Sequence, residues 1–144
     1  AMGEEPWRVH TVGVPAIDLI AEGNYASSEE VFQRLNLNPT CPVVLFTQHS
    51  VTTEFEKACE QVTPSLQALE KLAREGVQVI LTYPNNDAGG RGIIEKLIEF
   101  ESNHYEFTQV RRSLGRHLYH GLLALARDDK HLQRKRETLS EQHA

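Results

Sequence analysis

The sequence predicts an α/β domain built on a parallel sheet of about four strands, and three observations carry that expectation. Short apolar runs alternate with amphipathic helical patterns along most of the chain. Two of those runs, Val43-Val44-Leu45-Phe46 and residues 77–83, feed straight into polar or glycine-rich turns that open onto helical patterns. The spans between successive runs are too long for hairpins and the right length for helical crossovers.

Taken in order, Trp7-Arg8-Val9-His10-Thr11-Val12 alternates as a half-buried strand and ends at Gly13. Residues 14–20 fit a short helix with Pro15 in its first turn, closed by Gly23-Asn24. Ser27 as N-cap with Glu30 at N3 forms a capping box, and Val31, Phe32 and Leu35 supply the inner face of that helix. A turn at 36–39 leads to Pro42 at the entry of the 43–46 strand. Thr53 is the expected cap of the next helix, with Glu56 completing a second box. Phe55, Ala58, Cys59 and Val62 recur at helical spacing. Pro64 predicts a kink or a fresh start capped by Thr63. Leu66, Leu69, Leu72 and Ala73 continue the stripe to Gly76. After the 77–83 strand and the turn at Pro84, Ile93, Ile94, Leu97 and Ile98 mark another helix. A fourth strand is expected over 105–110, and Ser113 as cap of a last helix carrying Leu114, Leu118, Leu122 and Leu125. Residues 127–144 read as a charged tail, helical or frayed.

The chain of 144 residues is long enough for one domain with a real core. Its net charge of −5 gives no bulk electrostatic support to binding nucleic acid or a membrane surface. No apolar run approaches the roughly 20 residues that span a bilayer. The N-terminus lacks the regions of a signal peptide, and Cys41 and Cys59 show no metal-ligand spacing, so a reduced, cytoplasmic protein is expected.

Two turns carry the candidate chemistry. His49 follows one strand and precedes the polar run Ser50 to Thr53, where an imidazole can exchange a proton or bond a phosphate. The alternative is a surface histidine that helps cap a helix. In the Asn85-Asn86-Asp87-Ala88-Gly89-Gly90-Arg91 turn, the amides can bond a sugar or base, and the glycines admit a ligand close to the main chain. The same residues also suffice to build a tight turn, and neither common phosphate-loop nor dinucleotide fingerprint is present. Arg111, Arg112 and Arg116 form a basic knot that either holds an anion or is a solvated face. His117 and His120 share a helix face, with no further metal ligand evident.

Four segments in order add a resemblance. Gly3 to Val9, Val12 to Asp18, Gln48 to Glu54 and Tyr83 to Arg91, followed by Ser113-Leu114-Gly115 with Tyr119, resemble the UDP-N-acetylglucosamine 2-epimerase family, most closely its hydrolysing branch. That branch releases UDP and N-acetylmannosamine for sialic-acid-type sugar synthesis. The resemblance implies a Rossmann-like three-layer domain, here residues 1–126, corresponding to the start of the second domain of a GT-B-type two-domain architecture. It implies that His49 lies at the active site and that Asn85 contacts the substrate nucleotide. Arg91 falls where some animal members carry a lysine that binds a feedback inhibitor, a regulatory or anion contact. UDP-N-acetylglucosamine or UDP is the implied ligand, with no cofactor and no metal. The family's first domain and its Gly-Asn-Ser-Ser stretch have no counterpart, Arg127-Asp128-Asp129-Lys130 standing near the latter's place. The expectation is therefore a truncated or diverged piece, inactive alone, partnered by a complementing N-terminal domain or a further copy of itself. The alternative is a non-catalytic nucleotide-sugar-binding or protein-interaction module.

Overall fold

The computed structural model describes residues 3–103 and 106–128. Its elements are α1 (Ala16–Ala21), α2 (Ser28–Arg34), β1 (Val43–Phe46), α3 (Ala58–Arg74), β2 (Gln78–Thr82), α4 (Gly90–Asn103), β3 (Thr108–Arg111) and α5 (Gly115–Asp128), with 3-10 turns at Pro6–Arg8 and Thr52–Lys57. The strands form one parallel sheet in the order β1-β2-β3, with Val43 opposite Gln78 and Val79 opposite Thr108. Strand residues alternate between faces, and that alternation sorts the core into two layers. Val79 and Leu81 pack with Val62, Leu66 and Leu69 of α3 and with Ile93 and Leu97 of α4. Ile80 points the other way, into Val31 of α2 and Leu118 and Leu122 of α5. Ile80, Leu81, Ile93, Leu97 and Val31 are fully buried, each worth roughly 1.5–3 kcal/mol of apolar transfer. The result is a three-layer α/β domain of the Rossmann-like kind.

Two glycines set the helix spacing. A Cβ on Gly121 of α5 would come within 2.7 Å of the Ala26 carbonyl oxygen, and one on Gly92 of α4 within 2.5 Å of Cys59 Sγ. Both helices therefore sit closer to their neighbours than any side chain would allow. The main-chain N–H of Ala26 donates to His117 O at 3.1 Å, which fixes the α2 entry against α5.

Several expectations need correction. Residues 7–12 form no strand: Pro6–Arg8 is a 3-10 turn, and Trp7, Val9 and Val12 are exposed. Alternation specifies half-burial only when a neighbouring strand is available, and none pairs with this segment among the described residues. The sheet accordingly has three strands there, not four. Thr53 caps nothing. The chain runs through a 3-10 turn with Val51 before it, and Glu54 (φ −134°, ψ 30°) breaks the helical path so that α3 begins only at Ala58. No fresh start occurs at Pro64: α3 runs unbroken from Ala58 to Arg74. The proline and Glu60, whose carbonyl loses its N–H partner, are both exposed, so water can satisfy that oxygen. Thr63 instead donates its hydroxyl to Cys59 O at 2.8 Å. Half of the first capping box forms. Ser27 Oγ accepts the Glu30 N–H at 3.2 Å, but the Glu30 carboxylate turns to Arg34 and His117. The expected tail from residue 127 lies largely outside the described residues.

Candidate functional site

Because the strands are parallel, the segments leaving β1, β2 and β3 lie along one edge of the sheet, where ligands of open α/β sheets bind. Three hydrogen bonds join the first two of these segments. The hydroxyls of Thr47 and Thr82 bond to each other, the Asn85 N–H donates to His49 Nδ1 at 3.0 Å, and Ser50 Oγ donates to Ala88 O. Gly89 completes the contact. At φ +87° it lies so close to Phe55 O that a Cβ would approach to 2.8 Å, so glycine is required there both by conformation and by space.

The bond from Asn85 settles how His49 presents itself. Nδ1 serves as acceptor, so in the neutral ring the proton sits on Nε2, the nitrogen left to meet a ligand. His49 is exposed and lines a cleft of about 430 Å³ together with Thr47, Tyr83, Arg112, Arg116, Tyr119 and His120. Gly115, the first residue of α5, also lines it, and Ser113 Oγ accepts the Gly115 N–H at 3.2 Å. The helix N-terminus therefore adds partial positive charge to two guanidinium groups. Among the described residues no carboxylate lines this cleft.

Asn85 and Arg91 are placed elsewhere. They line a neighbouring hollow of about 650 Å³ with Asp87 and Glu95. The Asn85 side chain donates to Asp87 Oδ2 at 2.6 Å. The two candidate turns are thus joined through the Asn85 main chain, while the His49 ring and the Asn85 amide line different depressions. Of the basic knot, Arg112 and Arg116 join His49 in the cleft, while Arg111 donates to Gln109. Spacing alone left these arginines open between an anion contact and a solvated face. Their register just past β3 puts Arg112 and Arg116 on the same edge as His49. In the sequence Tyr119 stood in the family resemblance and His120 beside His117 on one helix face, and the one-turn offset from Arg116 brings both to the cleft. Among the described residues no cluster of His, Cys, Asp or Glu has the makings of a metal site. No described helix is long and apolar enough to cross a membrane.

Comparison with known proteins adds an independent line. Residues 1–127 match the family model described as UDP-N-acetylglucosamine 2-epimerase. A UDP-N-acetylglucosamine 2-epimerase of Neisseria meningitidis serogroup B is 32% identical over 111 residues, which is 76% of this chain and 28% of that protein. A UDP-N,N'-diacetylbacillosamine 2-epimerase (hydrolyzing) of Legionella pneumophila subsp. pneumophila is 28% identical over 99 residues, 69% of this chain and 26% of that protein. The chain spans about a quarter of the length of these relatives.

Proposed function

The chain belongs to the UDP-N-acetylglucosamine 2-epimerase family, and on that premise we propose that it binds the UDP end of a nucleotide sugar in the His49 cleft. The observation that supports this reading most is the convergence of Arg112, Arg116, the α5 N-terminus and His49 Nε2 on a cleft with no carboxylate among its described lining residues. A diphosphate needs donors and positive charge where no anion opposes it, and the arrangement supplies both in a protein of net charge −5. The neighbouring hollow carries Asp87 and Glu95, which disfavour phosphate, so Asn85 and Arg91 are assigned to the uncharged or outer part of the ligand.

In the assembled enzyme we place this domain as the second of two Rossmann-like domains in a GT-B arrangement, acting in the cytoplasm on amino sugars of the sialic-acid type. The reaction is elimination of UDP to a glycal and addition of water with inversion at C2, in the hydrolysing manner of the Legionella relative's name. His49 would donate to the departing diphosphate. The described cleft offers no acidic side chain for the other proton transfers, which supports binding without turnover by this chain alone. The same fact favours a second reading, a non-catalytic nucleotide-sugar-binding or protein-interaction module.

Calorimetric titration of UDP tests the site. Arg116→Ala and Arg112→Ala should each weaken binding by about 1.5–3 kcal/mol, the usual worth of a hydrogen bond to a charged group. His49→Ala should weaken it as well, and Arg74→Ala, on the exposed side of α3, should not. Equal affinity across the cleft variants would remove the cleft as the site. Binding without UDP release from UDP-N-acetylglucosamine is expected for the chain alone, and adding a family first domain distinguishes the two readings.

A further inference from the structure

On the face of the sheet that α2 and α5 cover, the aliphatic pattern stops one residue short of the cleft. Val43 and Leu45 of β1 and Ile80 of β2 pack into that layer. Strand residues alternate between faces, so Thr47 and Thr82 come next on the same face. The ladder sets Phe46 opposite Leu81, and the following step brings Thr47 beside Thr82, hydroxyl to hydroxyl. Both side chains line the His49 cleft, Thr82 only 6% exposed and Thr47 half-buried. A hydroxyl closing a strand as apolar as Val79-Ile80-Leu81 carries a desolvation cost that valine, nearly the same in shape, would avoid. A bond between the two hydroxyls offsets that cost in part.

The proton count leaves a donor over. Each hydroxyl brings one proton and two lone pairs, and the bond between them uses a single proton. Among the described residues neither side chain has a further hydrogen-bond partner. One O–H is therefore free for whatever occupies the cleft. A ligand group that only accepts settles the direction of the pair. Thr82, the deeper of the two, then donates to Thr47 Oγ1, and Thr47 turns its own proton to the ligand. A group that donates would reverse the order. Arg112, Arg116 and the N-terminus of α5 favour the first case, because they call for an anion, and a phosphate oxygen only accepts.

We propose that the Thr47 hydroxyl donates to a phosphate oxygen of the diphosphate, and that Thr82 is a positioning residue whose O–H, aimed at Thr47, leaves the Thr47 proton for the ligand. This rests on the reading of the His49 cleft as a diphosphate site and adds to it an uncharged donor supplied by the ends of β1 and β2. Donation from Thr82 also polarises the Thr47 hydroxyl, which strengthens its bond to the anion.

Calorimetric titration of the full 144-residue chain with UDP, inorganic pyrophosphate and uridine tests this. Thr47→Val should weaken UDP and pyrophosphate by about tenfold or more and leave uridine within about twofold. Thr47→Ser keeps the hydroxyl and should recover most of the affinity. Thr82→Val should weaken both phosphate ligands by less, about two- to fivefold, and should change nothing once Thr47 is already valine, because Thr82 acts only through Thr47. Urea midpoints report whether each variant keeps its sheet; should Thr82→Val not fold, Thr82→Ala removes the same hydroxyl without adding a methyl group. Unchanged pyrophosphate affinity in Thr47→Val, a loss confined to uridine, or an equal loss from Thr82→Val in both backgrounds would each overturn the inference. Arg116→Ala, titrated alongside, keeps the two readings apart. A loss there with none in Thr47→Val refutes the hydroxyl donor alone, whereas no response in either removes the cleft as a diphosphate site and the inference with it.

Discussion

Replacing Gly121 with alanine sets two effects of known size against each other. Glycine within a helix costs about 0.8–1.0 kcal/mol relative to alanine, so helix propensity alone predicts that α5, and the protein with it, is stabilised. Packing predicts the reverse. The new Cβ would lie 2.7 Å from Ala26 O, 2.8 Å from Val31 Cγ2 and 2.9 Å from Ala26 Cβ. Val31 is fully buried. Ala26 is held by its own N–H bond to His117 O, so the obstructing backbone cannot retreat without breaking that bond. Overpacking of this kind costs about 1–3 kcal/mol. The expected net is a loss of up to about 2 kcal/mol, read as a lower urea midpoint with unchanged slope and a melting temperature lower by up to roughly 8 °C. Val31→Ala combined with Gly121→Ala should show less than the sum of the two single losses, because removing Cγ2 makes room for the methyl group. A rise in melting temperature for Gly121→Ala would refute the close α2–α5 approach.

Other outcomes follow from particular bonds. Gln78→Ala removes the side chain that accepts the Asn38 N–H at 2.7 Å and donates to Asn38 O at 2.9 Å, and should cost about 1–2 kcal/mol by urea unfolding. Gly89→Ala puts a side chain at φ +87° against Phe55 O and should destabilise by at least about 1 kcal/mol while weakening UDP binding, because the turn carrying Asn85 must shift. Glu30 has its carboxyl held below the usual 4.5, chiefly by the hydrogen bond from His117 and further by Arg34. A carboxyl lowered on folding adds stability above its unfolded value and loses it as pH falls through the folded one. The stability difference between wild type and Glu30→Gln should therefore be present near pH 6 and shrink below about pH 4.5, and a difference that is flat across that range would remove the Glu30–His117 bond from the account.

What was legible in the sequence was whatever depends on near neighbours. Ser27 caps α2 because an N-cap needs only the next three residues, and the stripes of α3, α4 and α5 appear because helical period and burial coincide. The three strands after residue 40 were found for the same reason. Trp7 to Val12 misled, since alternation cannot reveal whether a partner strand exists. Thr53 misled because the helical path breaks at Glu54, beside a close approach of Gly89 to Phe55 O that no local pattern reveals. The cleft was half legible. His49 stood out by its place after β1, whereas Arg112, Arg116 and Tyr119 became its neighbours only once the strands were laid in parallel register. No spacing rule announces a bond such as that from Asn85 N to His49 Nδ1.

Among the described residues the sheet has no hairpin, and this bears on how the chain reaches its fold. Val43 waits for Gln78, and Val79 for Thr108. Even the loop before β1 is tied by Gln78 to Asn38, 40 residues away. No strand contact rewards the chain until a helix has been made and a long loop closed, so folding belongs to the slower class for this size. During synthesis, at about 5–20 residues per second, roughly 2–7 seconds separate the emergence of β1 from that of β2. Val43 to Phe46 spends that time as an uncharged, sticky segment with no partner. The folding hazard of this chain lies in those seconds, when an uncharged apolar run is already out of the ribosome and its sheet does not yet exist.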